Sequence, residues 1–200
     1  MGRLSNLFSN YGHTISSQHA TRDCVVSTFS DDWVDKYFAN GFEQIDPVFK
    51  FAMKNRRRCA ASALSPEDMR SPLFEEARAY GADSNIMITD YIGGSTMVLG
   101  GVNPDLTAEN LGEAIQACKA VHRQSLLDRL GLLSEKQIDL LELVEMGLKD
   151  AEISFELGVS PSAIAQRKRA ICNTLGITSF PVAAQIYTAD KWSGLICGGQ

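Results

Sequence analysis

The sequence predicts two domains of different class, an α/β domain over residues 1–130 followed by an all-α domain over residues 134–200. Three observations carry that division. Short β-like runs alternate with helical stretches in the first part, the second part is patterned throughout as helices, and Gly131 sits where a long helix should stop.

Taken in order, the α/β part shows strand-like runs at CVVSTF (24–29), IMITDYI (86–92) and TMVLGGV (96–102), and helical stretches around 31–40, 44–56 and 72–80. Asn103, Pro104 and Asp105 then open a long helix of roughly 105–129. In it Leu111, Ile115, Cys118, His122 and Leu126 recur at spacings of three and four, which makes one face apolar. That face, Leu126 included, is expected to supply contacts to a second subunit. A hinge is expected near 130–133.

In the helical part, Ser134 with Gln137 fits a capping box, Ile138, Leu141 and Val144 form a stripe, and Gly147 supplies the stop. Asp150 is expected to cap a short second helix carrying Ile153 and Leu157. Gly158 makes a tight turn, Ser160 and Pro161 start a third helix as N-cap and first residue, and Gly176 ends it. Two helices joined by a short Gly-containing turn, the second one basic, are the signature of a helix-turn-helix. With Ile164, Ile171 and Leu175 facing a core, Ser162, Ala165, Gln166 and Arg169 turn outward as candidates to read base edges. Gln can pair with adenine and Arg with guanine, whereas Arg167 and Lys168 are placed for phosphates. Ser160 and its helix N-terminus offer a further phosphate site.

The segment LSEKQIDLLELVEMGLKDAEISFELGVSPSAIAQRKRAICNTLGI, residues 133–177, resembles the C-terminal DNA-binding module of LuxR-type regulators without a gap. The ordered matches include Leu133, Gly147, Glu152, Gly158, Ser160, Ile164 and Gly176; Gln137 stands for the usual Glu. Upstream, FSDDWVDKYFANGFEQIDPV resembles the signature of the same family's acyl-homoserine lactone binding domain. The resemblance implies an α/β/α sandwich in which Trp33 donates to the lactone carbonyl, Asp46 accepts from the ligand amide and Tyr37 walls the pocket. Phe29 occupies the position of the family's Tyr that bonds the acyl carbonyl. The pattern also departs at Ala61, where a second Trp is usual, at Asn85 for Gly, and near Thr89 for Pro. The start lies closer to Trp33 than is common in the family, which leaves little room for an N-terminal helix.

The function expected is a DNA-binding transcriptional regulator of the quorum-sensing type, responding to an acyl-homoserine lactone or related small amphiphile and needing no other cofactor or metal. Its expected partners are double-stranded DNA, the small-molecule autoinducer and a second copy in a homodimer, since one such helix reads few base pairs. The alternative is a signal-blind relative that acts by heterodimerising with a full-length regulator. An enzyme is not expected. His13, His19 and His122 are scattered, and neither a G-x-S-x-G nor a Gly-rich phosphate loop occurs. The net charge of −5 gives no global basic excess for DNA, so the local run Arg167, Lys168 and Arg169 has to serve. Cys24, Cys59, Cys118, Cys172 and Cys197 are odd in number and never spaced as CxxC, which predicts reduced, mostly buried thiols. No apolar run approaches membrane-span length and no export signal is recognisable, so the expected location is the cytoplasm.

Overall fold

A computed structural model of the chain describes residues 2–16, 24–107 and 109–197, with side chains described from residue 3 to residue 193 within those ranges. His19 and the Cys197 side chain lie outside the described residues. Two compact units result: residues 1–91 with 96–122, and residues 92–95 with 123–200.

Unit 1 is built on a five-stranded sheet in the order β2-β1-β5-β4-β3. Its strands are β1 (Asn10–Ser16), β2 (Val25–Ser27), β3 (Ala60–Ala63), β4 (Ile86–Ile92) and β5 (Ser95–Val102). β1 runs antiparallel to both β2 and β5, and β3 antiparallel to β4. β4 and β5 fall on the runs the sequence marks as strands, whereas β2 is shorter than CVVSTF. β1 and β3 were not foreseen. NYGHTIS hides its alternation behind Gly, His and Thr, and AASA lacks the branched and aromatic residues that favour strands.

Helices cover both faces of this sheet. One cluster joins Leu4 of α1 (Gly2–Ser5) and Leu111, Ala114 and Cys118 around α5 (Gly112–Leu130) to Ile86, Ile88, Met97 and Leu99. The other joins Trp33 of α2 (Asp31–Ala39), Val48 and Ala52 of α3 (Pro47–Lys54), and Leu73, Phe74 and Ala77 of α4 (Pro72–Arg78) to Met87 and Val98. Unit 1 is therefore a helix–sheet–helix sandwich, with the one-turn α1 described ahead of β1.

Local chemistry sets the helix starts. Ser30 Oγ accepts from the Trp33 N–H at 3.3 Å, and Asp31 and Asp32 lie in the first turn. Asp46 caps α3 through the Val48 N–H at 2.8 Å, with Pro47 next. That cap makes α3 begin after the expected 44; Phe42–Gln44 form a separate 3-10 turn behind Gly41. α5 likewise begins at Gly112 and not near 105. Asn103 Oδ1 accepts from the Asp105 N–H and Asn110 Oδ1 from the Thr107 N–H, at 2.9 and 2.7 Å, so side chains hold this stretch in turns that compete with helix.

Unit 2 contains α6 (Glu135–Glu145), α7 (Asp150–Glu156), α8 (Pro161–Leu175) and α9 (Phe180–Cys197), the last not foreseen as an element. Its core gathers Leu126, Leu140, Leu141, Ile153, Ile164, Ile171, Leu175 and Ala183. Leu126 is 1% exposed there, so the expectation that it faces a second subunit is corrected: its own core takes it. For the same reason packing divides the chain inside α5, after His122, although the helix itself ends at Leu130 just before Gly131.

Gln137 Oε1 accepts from the Ser134 N–H at 2.8 Å, so Gln serves the role expected of it. Asp150 does not cap α7. Lys149 holds the N-cap position and Glu152 accepts its N–H at 2.7 Å, because the residue three positions into the helix reaches back to that donor. Among the cysteines, Cys118 and Cys172 are buried and Cys59 half-buried, but Cys24 is exposed.

Candidate ligand cavity and basic helix

A cavity of about 700 Å³, counting its open mouth, lies in unit 1 on the sheet face that carries α2–α4. Register explains its floor. Gly12 pairs with Gly100 and Ser27, and Thr14 with Val98 and Val25; strand alternation sends all six to the same face. The two paired glycines remove side chains where depth is needed. A Cβ on Gly12 would stand 3.3 Å from Phe29 Cε2, and one on Gly100 the same distance from Val48 Cγ2. The walls are aromatic: Phe29, Trp33, Tyr37, Phe38, Phe49 and Phe74.

Phe29, Trp33, Tyr37 and Asp46 thus line one cavity, although they come from the turn after β2, from α2 and from the cap of α3. Trp33 is 4% exposed and packs against Tyr37, Phe42 and Tyr80, with ring centroids at 6.1, 6.0 and 5.4 Å. The Tyr37 hydroxyl donates to Asp46 Oδ2 at 2.8 Å, while Asp46 Oδ1 holds the Val48 N–H. One aspartate therefore starts a helix, anchors a wall residue and faces the cavity. Each oxygen retains room for a second donor, since a carboxylate has about four lone-pair sites. Burial pushes the Asp46 carboxyl above the ordinary range, opposed by the Val48 and Tyr37 hydrogen bonds and the charge of Lys50. Burial, followed by the charge of Asp46, raises the Tyr37 phenol, keeping it a donor.

Residues 9–89 match the autoinducer binding domain family. No curated protein matches the chain. Among solved structures, Escherichia coli SdiA is similar with 18% identity and a TM-score of 0.45, covering 94% of this chain and 85% of that one. SdiA in complex with octanoyl-rac-glycerol gives 18% and 0.43, with 91% and 81% covered. CepR2 from Burkholderia cenocepacia, described as an N-acylhomoserine lactone dependent LuxR family transcription factor, gives 16% and 0.42, with 60% and 73% covered.

The positions at which this autoinducer-binding-like domain departs from the expected pattern have structural accounts. Asn85 has no left-handed backbone, so the freedom of Gly is not needed. Its side chain instead clamps Asn103, accepting from the N–H and donating to the carbonyl, both at 2.7 Å. Ala61 packs in the cluster on the other sheet face and is not among the cavity residues. Thr89 Oγ1, buried, donates to the Met97 carbonyl at 3.1 Å.

Sequence reading missed Gly12, Thr14, Ser27 and Gly100 as lining residues, because β1 was not recognised and a cavity floor is a property of register. It also missed a buried polar pair on the opposite side of the sheet, where His122 Nδ1 meets Asp90 Oδ2 at 2.9 Å. Burial works to raise the Asp90 carboxyl, but the His122 hydrogen bond and charge, joined by hydrogen bonds from Cys59 and the Tyr91 backbone, together hold the group below the usual range. Among the described residues, no group of three or more His, Cys, Asp or Glu could hold a metal ion. No helix of the described residues is long and apolar enough to cross a membrane.

In unit 2, α8 buries Ile164, Ile171 and Leu175 and exposes Ser162, Gln166 and Arg169, with Ala165 and Arg167 half-buried. Ser160 Oγ accepts from the Ala163 N–H at 3.3 Å and lies 2.9 Å from Ser162 Oγ. Gly158 and Gly176, with φ of 60° and 70°, supply the left-handed residues that turn the chain before and after α8. Lys168 also has partners within the unit: its ammonium pairs with Asp150 and lies 4.8 Å from the centroid of the Phe180 ring, which ties α8 to α7 and α9.

Proposed function

We propose that the protein is a quorum-sensing-type transcriptional regulator whose unit 1 takes an acyl-homoserine lactone or related small amphiphile and whose α8 reads DNA. The observation that carries the reading is the convergence of Trp33, Tyr37 and Asp46 on one aromatic cavity within the segment similar to autoinducer-binding domains. An indole N–H, a carboxylate and an apolar enclosure suit a ligand with a polar head and an acyl tail. The helix-turn-helix formed by α7 and α8 supplies the output. Ser162, Ala165, Gln166 and Arg169 face the bases, while Arg167 and the Ser160 end of the helix face phosphates. A cytoplasmic homodimer binding two half-sites completes the reading. No catalytic role is proposed.

A second reading has its own support. Both Asp46 oxygens already accept bonds from within the chain, and Phe29 brings no hydroxyl, so the cavity is stable as a structural feature. In that case the protein acts without signal, by heterodimerising with a related regulator. Operator selection from random duplexes, with and without N-octanoyl-homoserine lactone, separates the two. Lactone-dependent enrichment of one sequence supports the sensor, equal enrichment supports the signal-blind form, and no enrichment contradicts DNA reading by α8.

A further inference from the structure

Thr14 is 4% exposed, and its Oγ1 is buried with no hydrogen-bond partner among the described residues. It lines the cavity from the floor, on β1, between Val25 and Val98. A hydroxyl in such a place is costly unless a partner arrives, and apolar residues of similar shape fill it better when none does. Its neighbours on the two flanking strands are valines, so the position is polar in surroundings that are otherwise hydrocarbon. Two other polar groups of the cavity have partners within the chain, Asp46 with Val48 and Tyr37, and Ser27 Oγ with the Phe29 N–H at 2.9 Å, whereas Thr14 Oγ1 has none among the described residues.

We propose that Thr14 is a specificity-determining residue that hydrogen-bonds an oxygen carried by the otherwise apolar part of the ligand, so that the site selects amphiphiles with a keto- or hydroxyl-substituted tail over plain acyl chains. The inference rests on the reading of this cavity as a ligand site and adds a second polar anchor to it. Tyr37 and Asp46 hold each other at one wall; Thr14 stands on the floor, contributed by a strand distant in sequence. A hydroxyl can donate to a keto oxygen or exchange both roles with a ligand hydroxyl. The sheet keeps the group in place, since Thr14 sits in the middle of the β1–β5 ladder.

The test uses the full chain and two probes of equal length, N-octanoyl-homoserine lactone and N-(3-oxo-octanoyl)-homoserine lactone, titrated calorimetrically into wild type and Thr14→Val. Wild type should bind the 3-oxo compound about tenfold more tightly, the change expected of one recovered hydrogen bond. Thr14→Val should bind both equally, matching the wild-type affinity for the plain chain, and in the ligand-free state should melt no lower than wild type. Thr14→Ser should restore the preference. Equal wild-type affinities, or a preference that survives in Thr14→Val, overturn the role of Thr14 and leave the ligand site standing. Failure of wild type to bind either lactone overturns the site and the inference with it.

Discussion

Unit 1 and unit 2 bury different things. In unit 2 the largest fully buried side chains are Leu126, Leu140, Leu141, Ile153, Ile164, Ile171 and Leu175, a hydrocarbon core, with Ser95 its buried polar residue among those described. Unit 1 buries Thr14, Asn55, Ser84, Thr89, Asp90 and His122 among its apolar residues and keeps a cavity beside Trp33. A domain that only has to hold a helix at its surface can be packed solid. A domain that has to receive a small molecule keeps space and polar atoms that a filled core would eliminate, and part of its stability is then completed by what enters.

The largest expected effect tests the solid side of this contrast. Leu141→Ala in unit 2, at a site with no exposure, should cost about 2–5 kcal/mol, whereas Val98→Ala on the cavity wall should cost less than half as much, because space is already there. Denaturant unfolding of both variants checks the ranking, and equal losses would mean that the cavity wall is as tightly supported as the filled core.

Asp46→Ala comes next. It removes the cap of α3 and the acceptor of Tyr37 together, and about 1–3 kcal/mol should be lost from unit 1. Asp46→Asn keeps a capping oxygen and should lose less. Thermal unfolding followed by tryptophan fluorescence reports it; a neutral Asp46→Ala would show that neither bond matters to the fold.

A further effect is one of pH. His13, on β1 between Gly12 and Thr14, stacks on Tyr11 with centroids 6.0 Å apart, and burial lowers its imidazole from 6.5 to about 4. Since the unfolded chain takes up this proton first, the contribution is complete above pH 6.5 and is lost as pH falls toward 4, by up to ~3 kcal/mol. His13→Gln should flatten the melting temperature over that window. An unchanged slope would assign the acid sensitivity to other groups.

How much of this was legible in the sequence follows the same division. In unit 2, helix stops and starts are local chemistry, and Ser134 with Gln137, Ser160 with Pro161, Gly158 and Gly176 announced α6, α8 and their turns. Where two local signals competed, the reading slipped: Asp150 looks like a cap, yet Glu152 satisfies Lys149 and leaves Asp150 to Lys168. In unit 1, Trp33, Tyr37 and Asp46 were visible as a spacing along one segment. Their common cavity was not, because its floor depends on Gly12 meeting Gly100 and Thr14 meeting Val98 across strands remote in sequence. The apolar face of α5 was legible, but Leu126 shows that periodicity says a side chain will be covered without saying by what.

DNA reading by α8 has its own check. Arg169→Ala should remove about 1–3 kcal/mol of operator discrimination at one base pair while leaving stability nearly unchanged, since the side chain is exposed. Binding assays across salt concentrations would reveal it, and an unaltered sequence preference would turn α8 away from the bases.

The central claim, that the Trp33, Tyr37 and Asp46 cavity receives an amphiphilic ligand through Asp46, is tested most directly by titrating wild type and Asp46→Asn with N-(3-oxo-octanoyl)-homoserine lactone in a calorimeter. A charge-assisted hydrogen bond contributes about 1.5–3 kcal/mol, so affinity should fall by roughly one to two orders of magnitude in the variant while both proteins remain folded. Equal affinity in two folded proteins, or no binding by wild type, would contradict it.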